Sequence, residues 1–137
     1  KTISADCARQ IVLEVIALLE QESTVVDVEI PEAGSITIVG DLHGQYDDLL
    51  QIWELNGLPS EQNPYLFNGD FVDRGPHSLE VVLSLFAWKL VYPKSVLLAR
   101  GNHETRSMSS MYGFKQQVVE KYGESMYETF CDAFDLL

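Results

Sequence analysis

Three short apolar runs, separated by amphipathic segments, constrain the fold of this chain more than any other feature. The runs span residues 35–39, 65–67 and 96–99 and are rich in β-branched, aromatic or leucine side chains. Between them, apolar residues recur at helical spacing around 49–55 and 79–90. Alternating strands and helices favour a parallel sheet, because each crossover helix returns the chain to the same edge. We therefore predict an α/β fold with a βαβαβ core and flanking helices.

The regions on either side of this core also carry local signals. Residues 4–21 have apolar side chains at helical spacing, which predicts an amphipathic helix. Alternating apolar and acidic residues over 26–30 predict a short half-buried strand, followed by a turn over 31–34. Residues 107–137 are typical of helix, with a break at 122–123. The flanks therefore add mainly helices to the predicted core.

The composition is typical of a globular domain and narrows the range of partners. The 137 residues are 46% hydrophobic, too apolar for a disordered chain, and no run approaches the ~20 residues of a membrane span. Nine basic and 21 acidic residues give a net charge of −12, which disfavours nucleic acids and anionic membranes as partners. We expect most carboxylates to be solvated. Cys7 and Cys131 lie far apart and form no CxxC motif, which favours a reduced, cytosolic context. The polar, mixed residues 1–10 predict no signal peptide.

An oxygen-bearing side chain follows the end of each apolar run. Asp41, Asp70 and Asn102 each come directly after a glycine, and they are 29 and 32 residues apart. These spacings are close to the length of one βαβ unit. Since ligands bind at the carboxyl edge of open parallel sheets, we expect the three side chains to converge there. The glycine before each one would allow a sharp turn of the backbone.

Further functional side chains cluster directly after these positions. They are His43 after the first run, Asp73 and Arg74 after the second, and His103 and Glu104 after the third. Carboxylate, imidazole and carboxamide groups suit divalent metals, and a guanidinium can hold phosphate oxygens in a bidentate manner. Each motif alone is typical of a turn, a structural histidine or a local ion pair. Their coincidence indicates a divalent-metal site that acts on phosphate.

These motifs resemble the signature motifs of the phosphoprotein phosphatase family of metal-dependent serine/threonine phosphatases. They occur in the family's order as GDLHG at 40–44, GDFVDRG at 69–75 and GNHE at 101–104. Intervening stretches are also similar, namely NGLPS at 56–60, NPY at 63–65 and MYGF at 111–114. The resemblance covers roughly residues 5–137. It is strongest to the protein phosphatase 5 subgroup, whose members often carry tetratricopeptide repeats, and next strongest to the EF-hand phosphatases.

The resemblance implies a calcineurin-like metallophosphoesterase fold, which is a four-layer αββα sandwich. Residues 1–137 would be the N-terminal half of that sandwich, as the N-terminal portion of a phosphatase catalytic domain truncated at its C-terminal end. Two further metal-binding histidines, a second phosphate-binding arginine and a tyrosine of the family have no counterpart in this chain. We therefore expect the inner face of its sheet to be uncovered and this fragment alone to be inactive.

The resemblance also implies a set of metal ligands. Asp41 and His43 would bind the first metal ion, and Asp70 would bridge both ions. Asn102 would bind the second ion and also contact the substrate phosphate. The cofactors would be two divalent metal ions, for which manganese, iron and zinc all suit these ligands.

Three further residues would act on the substrate. His103 would be the general acid for the leaving oxygen, Asp73 would orient His103 and support its charge, and Arg74 would bind phosphate oxygens. The nucleophile would be a metal-activated water. The predicted function is hydrolysis of phosphoserine and phosphothreonine in proteins. The alternatives are a small-molecule metallophosphoesterase, such as a dinucleoside polyphosphate hydrolase, or a non-catalytic truncated regulatory fragment.

The remaining candidates are expected to have structural roles. His77 would lie on the surface beside a helix cap, and Glu104 would support its loop by pairing with Arg100. The methionines would fill core or interface positions; they are Met108, Met111 and Met126. The expected partners are phosphoprotein substrates, with regulatory subunits or attached tetratricopeptide or EF-hand domains, but neither nucleic acid nor membrane. The expected location is the cytoplasm, with the nucleus as a second location.

Overall fold

The computed structural model describes residues 3–28, 30 and 34–137. Within these residues the chain forms three strands and six helices, in the alternating order predicted from β1 to β3. Their bounds are α1 Ala5–Leu19, β1 Thr37–Val39, α2 Tyr46–Asn56, β2 Tyr65–Phe67, α3 Ser78–Val91, β3 Val96–Leu98, α4 Arg106–Ser109, α5 Phe114–Tyr122 and α6 Glu124–Phe134.

The three strands form a parallel sheet, as predicted, and β2 lies in its centre. Their register aligns Val39, Phe67 and Leu98 across the sheet. Since side chains alternate along a strand, Tyr65 and Val96 lie on the same face as these three residues. Tyr65, Phe67 and Val96 have no exposed surface, so this face belongs to the hydrophobic core.

The opposite face of the sheet is open at one edge and closed at the other. Ile38 on β1 is 66% exposed, Leu66 on β2 is half-buried and Leu97 on β3 is only 6% exposed. Leu97 borders a cavity shared with Val26 and neighbouring residues of the segment after α1. The prediction of an uncovered sheet face is therefore confirmed at β1 and wrong at β3.

Helix α3 is the central helix of the domain, and α5 and α6 are anchored against it by aromatic rings. Val81, Val82 and Phe86 of α3 are fully buried, so the buried surface of this helix is wider than the single apolar face of the predicted amphipathic helix. The ring of Phe114, at the start of α5, lies 5.3 Å from the ring of Phe130 on α6. Phe86 lies 6.3 Å from the same Phe130 ring. This packing fixes the start of α5 relative to α3 and α6.

Some elements differ from their predicted bounds. Residues 26–28 and 30 form no strand, and their apolar side chains stay exposed because no strand among the described residues pairs with them. Residue 29 and most of the predicted turn, residues 31–33, lie outside the described residues. Strand β1 begins at Thr37 rather than at residue 35. The N–H of Thr37 donates to the carbonyl of Pro64, and the ladder stops there because a proline has no N–H to donate in return. The C-terminal helical region breaks at residues 110–113 as well as at Gly123. In the part of the chain that the structure describes, no helix is long and apolar enough to cross a membrane.

Candidate active site

The loops that follow β1 and β2 are joined by backbone hydrogen bonds at the carboxyl edge of the sheet. The N–H groups of Leu42 and His43 donate to the carbonyl of Asp70 at 3.0 and 2.9 Å. The N–H of Gly75 donates in return to the carbonyl of His43 at 2.9 Å. The predicted convergence of the first two motifs is thus confirmed, and main-chain contacts hold them together.

The loop after β3 approaches the second loop so closely that both need glycine. A Cβ atom on Gly101 would lie 2.2 Å from the Asp70 carboxylate, and one on Gly69 would lie 2.3 Å from the Gly101 nitrogen. Gly69 also has a φ of 88°, which side chains rarely adopt. Gly40 has neither a close neighbour nor a positive φ. The expectation of a glycine-dependent turn is therefore confirmed for Gly69, whereas Gly101 is needed for the close approach of the two loops.

Glu104 is the buried anchor of this loop cluster. Its side chain has no exposed surface. Its carboxylate accepts backbone N–H bonds of 2.7 to 3.3 Å from Asp70, Phe71, Val72 and Gly101. Burial raises the pKa of Glu104, while the N–H donors favour its ionised form. The predicted supporting role is confirmed, but its predicted partner is wrong: Arg100 donates to the main-chain carbonyl of Glu104 and pairs with the Asp135 carboxylate at 2.6 Å.

Asp41, His43 and Asp70 form a cluster suited to a divalent metal ion. One ligand atom from each lies within 4.8 Å of the others. Nδ1 of His43 lies 2.9 Å from the carbonyl of Val72. A carbonyl can only accept, so Nδ1 carries the proton and the Nε2 lone pair is available to a metal. This carbonyl-supported imidazole is the usual arrangement of metal-binding histidines, and the donor set therefore fits a divalent metal.

The side chain of Asp70 lies between this cluster and the third motif. Its Oδ1 accepts the N–H of His103 at 2.9 Å. The contact brings the loop that carries Asn102 to the same edge of the sheet. Asn102 itself is exposed, and its role as a ligand of a second metal stays a prediction.

His103 and Asp73 form a buried hydrogen-bonded pair beside the cluster. Nδ1 of His103 lies 2.8 Å from Oδ2 of Asp73, and their side chains are 1% and 0% exposed. The other carboxylate oxygen of Asp73 accepts the N–H of Phe114 at 2.9 Å, at the start of α5. The rings of His103 and His43 are 4.7 Å apart. A carboxylate-oriented imidazole thus lies directly next to the candidate metal ligands.

Arg74 is exposed and its guanidinium approaches the outer nitrogen of His103. The distance from Nη2 to Nε2 is 3.3 Å. Because a guanidinium can only donate, Nε2 must be the acceptor, and the single ring proton is therefore on Nδ1, facing Asp73. The backbone N–H of Arg74 donates to the carbonyl of Tyr112 at 2.9 Å. These contacts place a cation at the mouth of the site, where it can meet a phosphate.

Other residues surround the site, and the sequence assigned a role to only some of them. The ring of Tyr112 lies 5.4 Å from that of His103, and its MYGF stretch carried no predicted role beyond the resemblance. Gln117 and Ser78 contact the second loop, and nothing in their sequence context indicated it.

His77 is 53% exposed at the start of α3, which confirms its surface position. Met126 is buried, Met108 is partly buried and Met111 is 69% exposed, so core filling is confirmed only for Met126.

Comparison with known proteins gives matches over most or all of the chain. The sequence model of a family described as Calcineurin-like phosphoesterase matches residues 34–137. A relative from Homo sapiens, named Serine/threonine-protein phosphatase 5, is 53% identical over 137 residues, which are all of this chain and 28% of that protein. Its namesake from Arabidopsis thaliana is 52% identical over 134 residues, 98% of this chain and 25% of that protein. Serine/threonine-protein phosphatase T from Trypanosoma brucei brucei is 50% identical over 127 residues, 93% of this chain and 27% of that protein.

A solved structure is also similar. It is a protein serine/threonine phosphatase from Saccharomyces cerevisiae, described as similar to the human phosphatase PP5. The TM-score is 0.96 at 34% identity, over all of this chain and 44% of that one. This chain therefore spans less than half of that structure and about a quarter of the curated relatives.

Proposed function

Because the chain belongs to the calcineurin-like phosphoesterase family, we propose that it carries the metal-binding and general-acid part of a serine/threonine protein phosphatase active site. The proposed reaction is hydrolysis of phosphoserine and phosphothreonine in proteins. The observation that carries the proposal is the buried Asp73–His103 pair, whose imidazole lies 4.7 Å from the ring of the candidate metal ligand His43. A metal site and a proton donor next to each other can together catalyse phosphate hydrolysis, because the metal supports the attacking water and the proton donor supports the leaving group.

The residues of this chain would hold the metal ions in the following way. Asp41 and His43 offer a carboxylate and an imidazole to one ion, and Asp70 offers a carboxylate that can be shared with a second ion. Asn102 would add its carboxamide to the second ion. Divalent metals, when bound, lower the pKa of coordinated water and neutralise the charge of the substrate phosphate. Manganese, iron and zinc all suit these donors.

Arg74 and His103 would then act on the substrate. A phosphate oxygen is a stronger acceptor than a neutral imidazole, so a bound phosphate would draw the Arg74 guanidinium away from Nε2. Nε2 could then take a proton from solvent and later donate it to the departing serine or threonine oxygen. Asp73 orients the imidazole for this step, because its buried carboxylate accepts the Nδ1 proton at 2.8 Å. Asn102 would contact the phosphate from the opposite loop.

The proposal extends to partners and location. Phosphoproteins would be the substrates, and the greater length of the relatives is consistent with attached domains such as tetratricopeptide or EF-hand domains, or with regulatory subunits. We propose a cytoplasmic location, with the nucleus as a second one. The assignment of residues 1–137 to the N-terminal portion of a catalytic domain also stays a prediction.

Hydrolysis of two substrates by the full-length protein that carries this chain tests the proposal. We expect it to release phosphate from a phosphoserine peptide and not to cleave a dinucleoside polyphosphate. His103→Asn should lower turnover of the phosphopeptide by roughly 10²–10⁴-fold, because proton donation to the leaving group is lost. A preference for the dinucleotide would favour a small-molecule phosphoesterase, and partner binding without turnover would favour a regulatory fragment. Unchanged turnover of His103→Asn would contradict the role of His103.

A further inference from the structure

The turn that carries Asp73 and Arg74 has an unusual backbone. Asp73 and Arg74 have φ angles of 71° and 64°, so two consecutive non-glycine residues lie in the left-handed region. Such a conformation costs free energy and persists only when surrounding contacts impose it. The contacts that impose it therefore determine where the carboxylate of Asp73 and the guanidinium of Arg74 point.

Gln117 of α5 binds both the turn and the start of α3 with a single side chain. Its Nε2 donates to the carbonyl of Gly75 at 2.9 Å, and its Oε1 accepts the N–H of Ser78 at 3.0 Å. The first bond needs a donor and the second an acceptor, so only one orientation of the carboxamide satisfies both. The N-cap residue of α3, His77, makes no side-chain capping bond, so Gln117 supplies the cap from another helix.

Ser78 makes a second contact with the turn, at Asp73. Its hydroxyl oxygen accepts the N–H of Asp73 at 3.0 Å, and the residue is fully buried. The same serine donates its backbone N–H to Gln117. Ser78 and Gln117 therefore form one connected support, which touches the turn at Asp73 and at Gly75.

This support is attached to the rigid part of the molecule. Phe114 and Val118 of α5 have no exposed surface, and Phe114 is part of the aromatic cluster with Phe130. Phe114 also donates its N–H to Asp73. The start of α5 thus has a fixed position in the core, and Gln117 transfers that position to the turn.

We propose that Gln117 and Ser78 are positioning residues of the phosphatase site, which act by holding the Asp73–Gly75 turn in its left-handed conformation. Neither contacts the substrate in this proposal. It rests on the proposed function and deepens it. Without the support the turn would relax, and His103 would lose the orientation in which it can donate its proton. Misplacement of a catalytic group by about 1 Å can lower a rate by about 10²-fold.

Two substrates with different leaving groups separate this role from a purely structural one. A phosphoserine peptide has a poor leaving group and needs a proton from His103, whereas p-nitrophenyl phosphate releases a stable phenolate and needs little help. In the full-length protein, Gln117→Met removes both hydrogen bonds at similar volume. We expect its kcat for the phosphopeptide to fall about 10- to 100-fold and its kcat for p-nitrophenyl phosphate to fall far less. The ratio of the two values does not depend on how much of the protein is folded.

Two further variants complete the test. Gln116→Met is the matched control, since Gln116 is exposed and its side chain bonds only Glu120 among the residues that the structure describes. The ratio of the two kcat values in this variant should match that of the unsubstituted protein. Ser78→Ala removes the acceptor for the Asp73 N–H with little change in volume, and it should shift the ratio in the same direction as Gln117→Met. A ratio of the two kcat values that is unchanged in both Gln117→Met and Ser78→Ala, whether or not the rates themselves fall, would overturn the inference. An unsubstituted protein that hydrolyses neither substrate would contradict the proposed function itself.

Discussion

Oδ2 of Asp73 lies 2.8 Å from Nδ1 of His103, in a position where both side chains are almost fully buried. The second oxygen of Asp73 is committed to the N–H of Phe114. The carboxylate therefore has one acceptor for each of two fixed donors, and its orientation follows from the fold rather than from the substrate. A histidine held in this way presents its outer nitrogen in a defined direction.

Replacing Asp73 by Asn tests this relationship. An amide has one oxygen and one NH₂ group, so it cannot accept from both His103 and Phe114, and it does not stabilise a charged imidazole. We expect turnover of a phosphoserine peptide to fall by roughly 10²-fold or more. Asp48→Asn, on the exposed side of α2, is the matched control and should retain normal turnover. Similar turnover in both variants would contradict the role of Asp73.

Glu104→Gln should lower stability more strongly than its small size change suggests. The carboxylate accepts four backbone N–H bonds in a buried position, and an amide NH₂ group would face some of these donors. Unsatisfied buried donors cost about 1–3 kcal/mol each, so we expect a loss of roughly 2–4 kcal/mol. Urea unfolding of the full-length protein and of the exposed control Glu120→Gln measures the difference. Equal midpoints would show that the anchor is unimportant.

The contact between Glu80 and Lys121 should contribute a pH-dependent part of the stability. Burial acts to raise the pKa of Glu80, but the 2.9 Å bond to Lys121 and its charge outweigh burial and lower that pKa. Because the folded-state pKa is the lower one, the stabilisation is present above the unfolded pKa of about 4.3 and is lost as the pH falls through the folded value.

Thermal unfolding of the protein and of Glu80→Gln across this pH range measures the effect. Glu80 is 38% exposed, so the free energies of unfolding of the unsubstituted protein and of Glu80→Gln should differ by no more than about 1 kcal/mol near neutral pH. The two proteins should converge once the pH lies below the folded-state pKa of Glu80. A stability difference that grows as the pH falls would mean that folding raises the pKa of Glu80, contrary to this prediction.

The two cysteines should differ strongly in their reaction with a thiol reagent. Both are free; Cys7 is exposed at the start of α1, whereas Cys131 is only 1% exposed on α6. Burial raises the pKa of the Cys131 thiol, which lowers the fraction of reactive thiolate. We expect Cys7 to react rapidly in the native protein and Cys131 only after denaturation, as measured by mass spectrometry of the labelled peptides. Rapid labelling of Cys131 in the native protein, or slow labelling of Cys7, would contradict this assignment.

The alternation of strands and helices and the position of the site followed from the sequence because they depend on local patterns. Three apolar runs with a ligand residue after each one define the carboxyl edge of a parallel sheet, and Asp41 and Asp70 indeed meet there. The fold class and the family inferred from the three motifs are confirmed. The runs also located β2 and β3 to within one residue, since flanking turn residues mark their ends.

Long-range contacts explain what the sequence did not predict. The alternation over 26–30 indicated a strand, but a strand requires a pairing partner, and Val26 stays 46% exposed. Arg100 was expected to pair with the nearby Glu104 carboxylate, yet four backbone donors occupy that carboxylate and Arg100 meets Asp135 instead. Gln117 is 42 residues from the carbonyl that it binds, and no local pattern encodes such a contact. Tertiary packing decides these positions, and a single sequence gives no measure of it.

Removal and return of metal in the full-length protein test the central claim most directly. The protein is treated with a chelator, manganese is added back, and both bound metal and phosphate release from a phosphoserine peptide are measured. We predict loss of activity on chelation, recovery with two manganese ions bound per chain, and failure of Asp70→Asn to recover either binding or activity. Full turnover after complete removal of metal, or normal metal binding by Asp70→Asn, would contradict the claim that the strand ends of this chain form a metal-dependent phosphatase site.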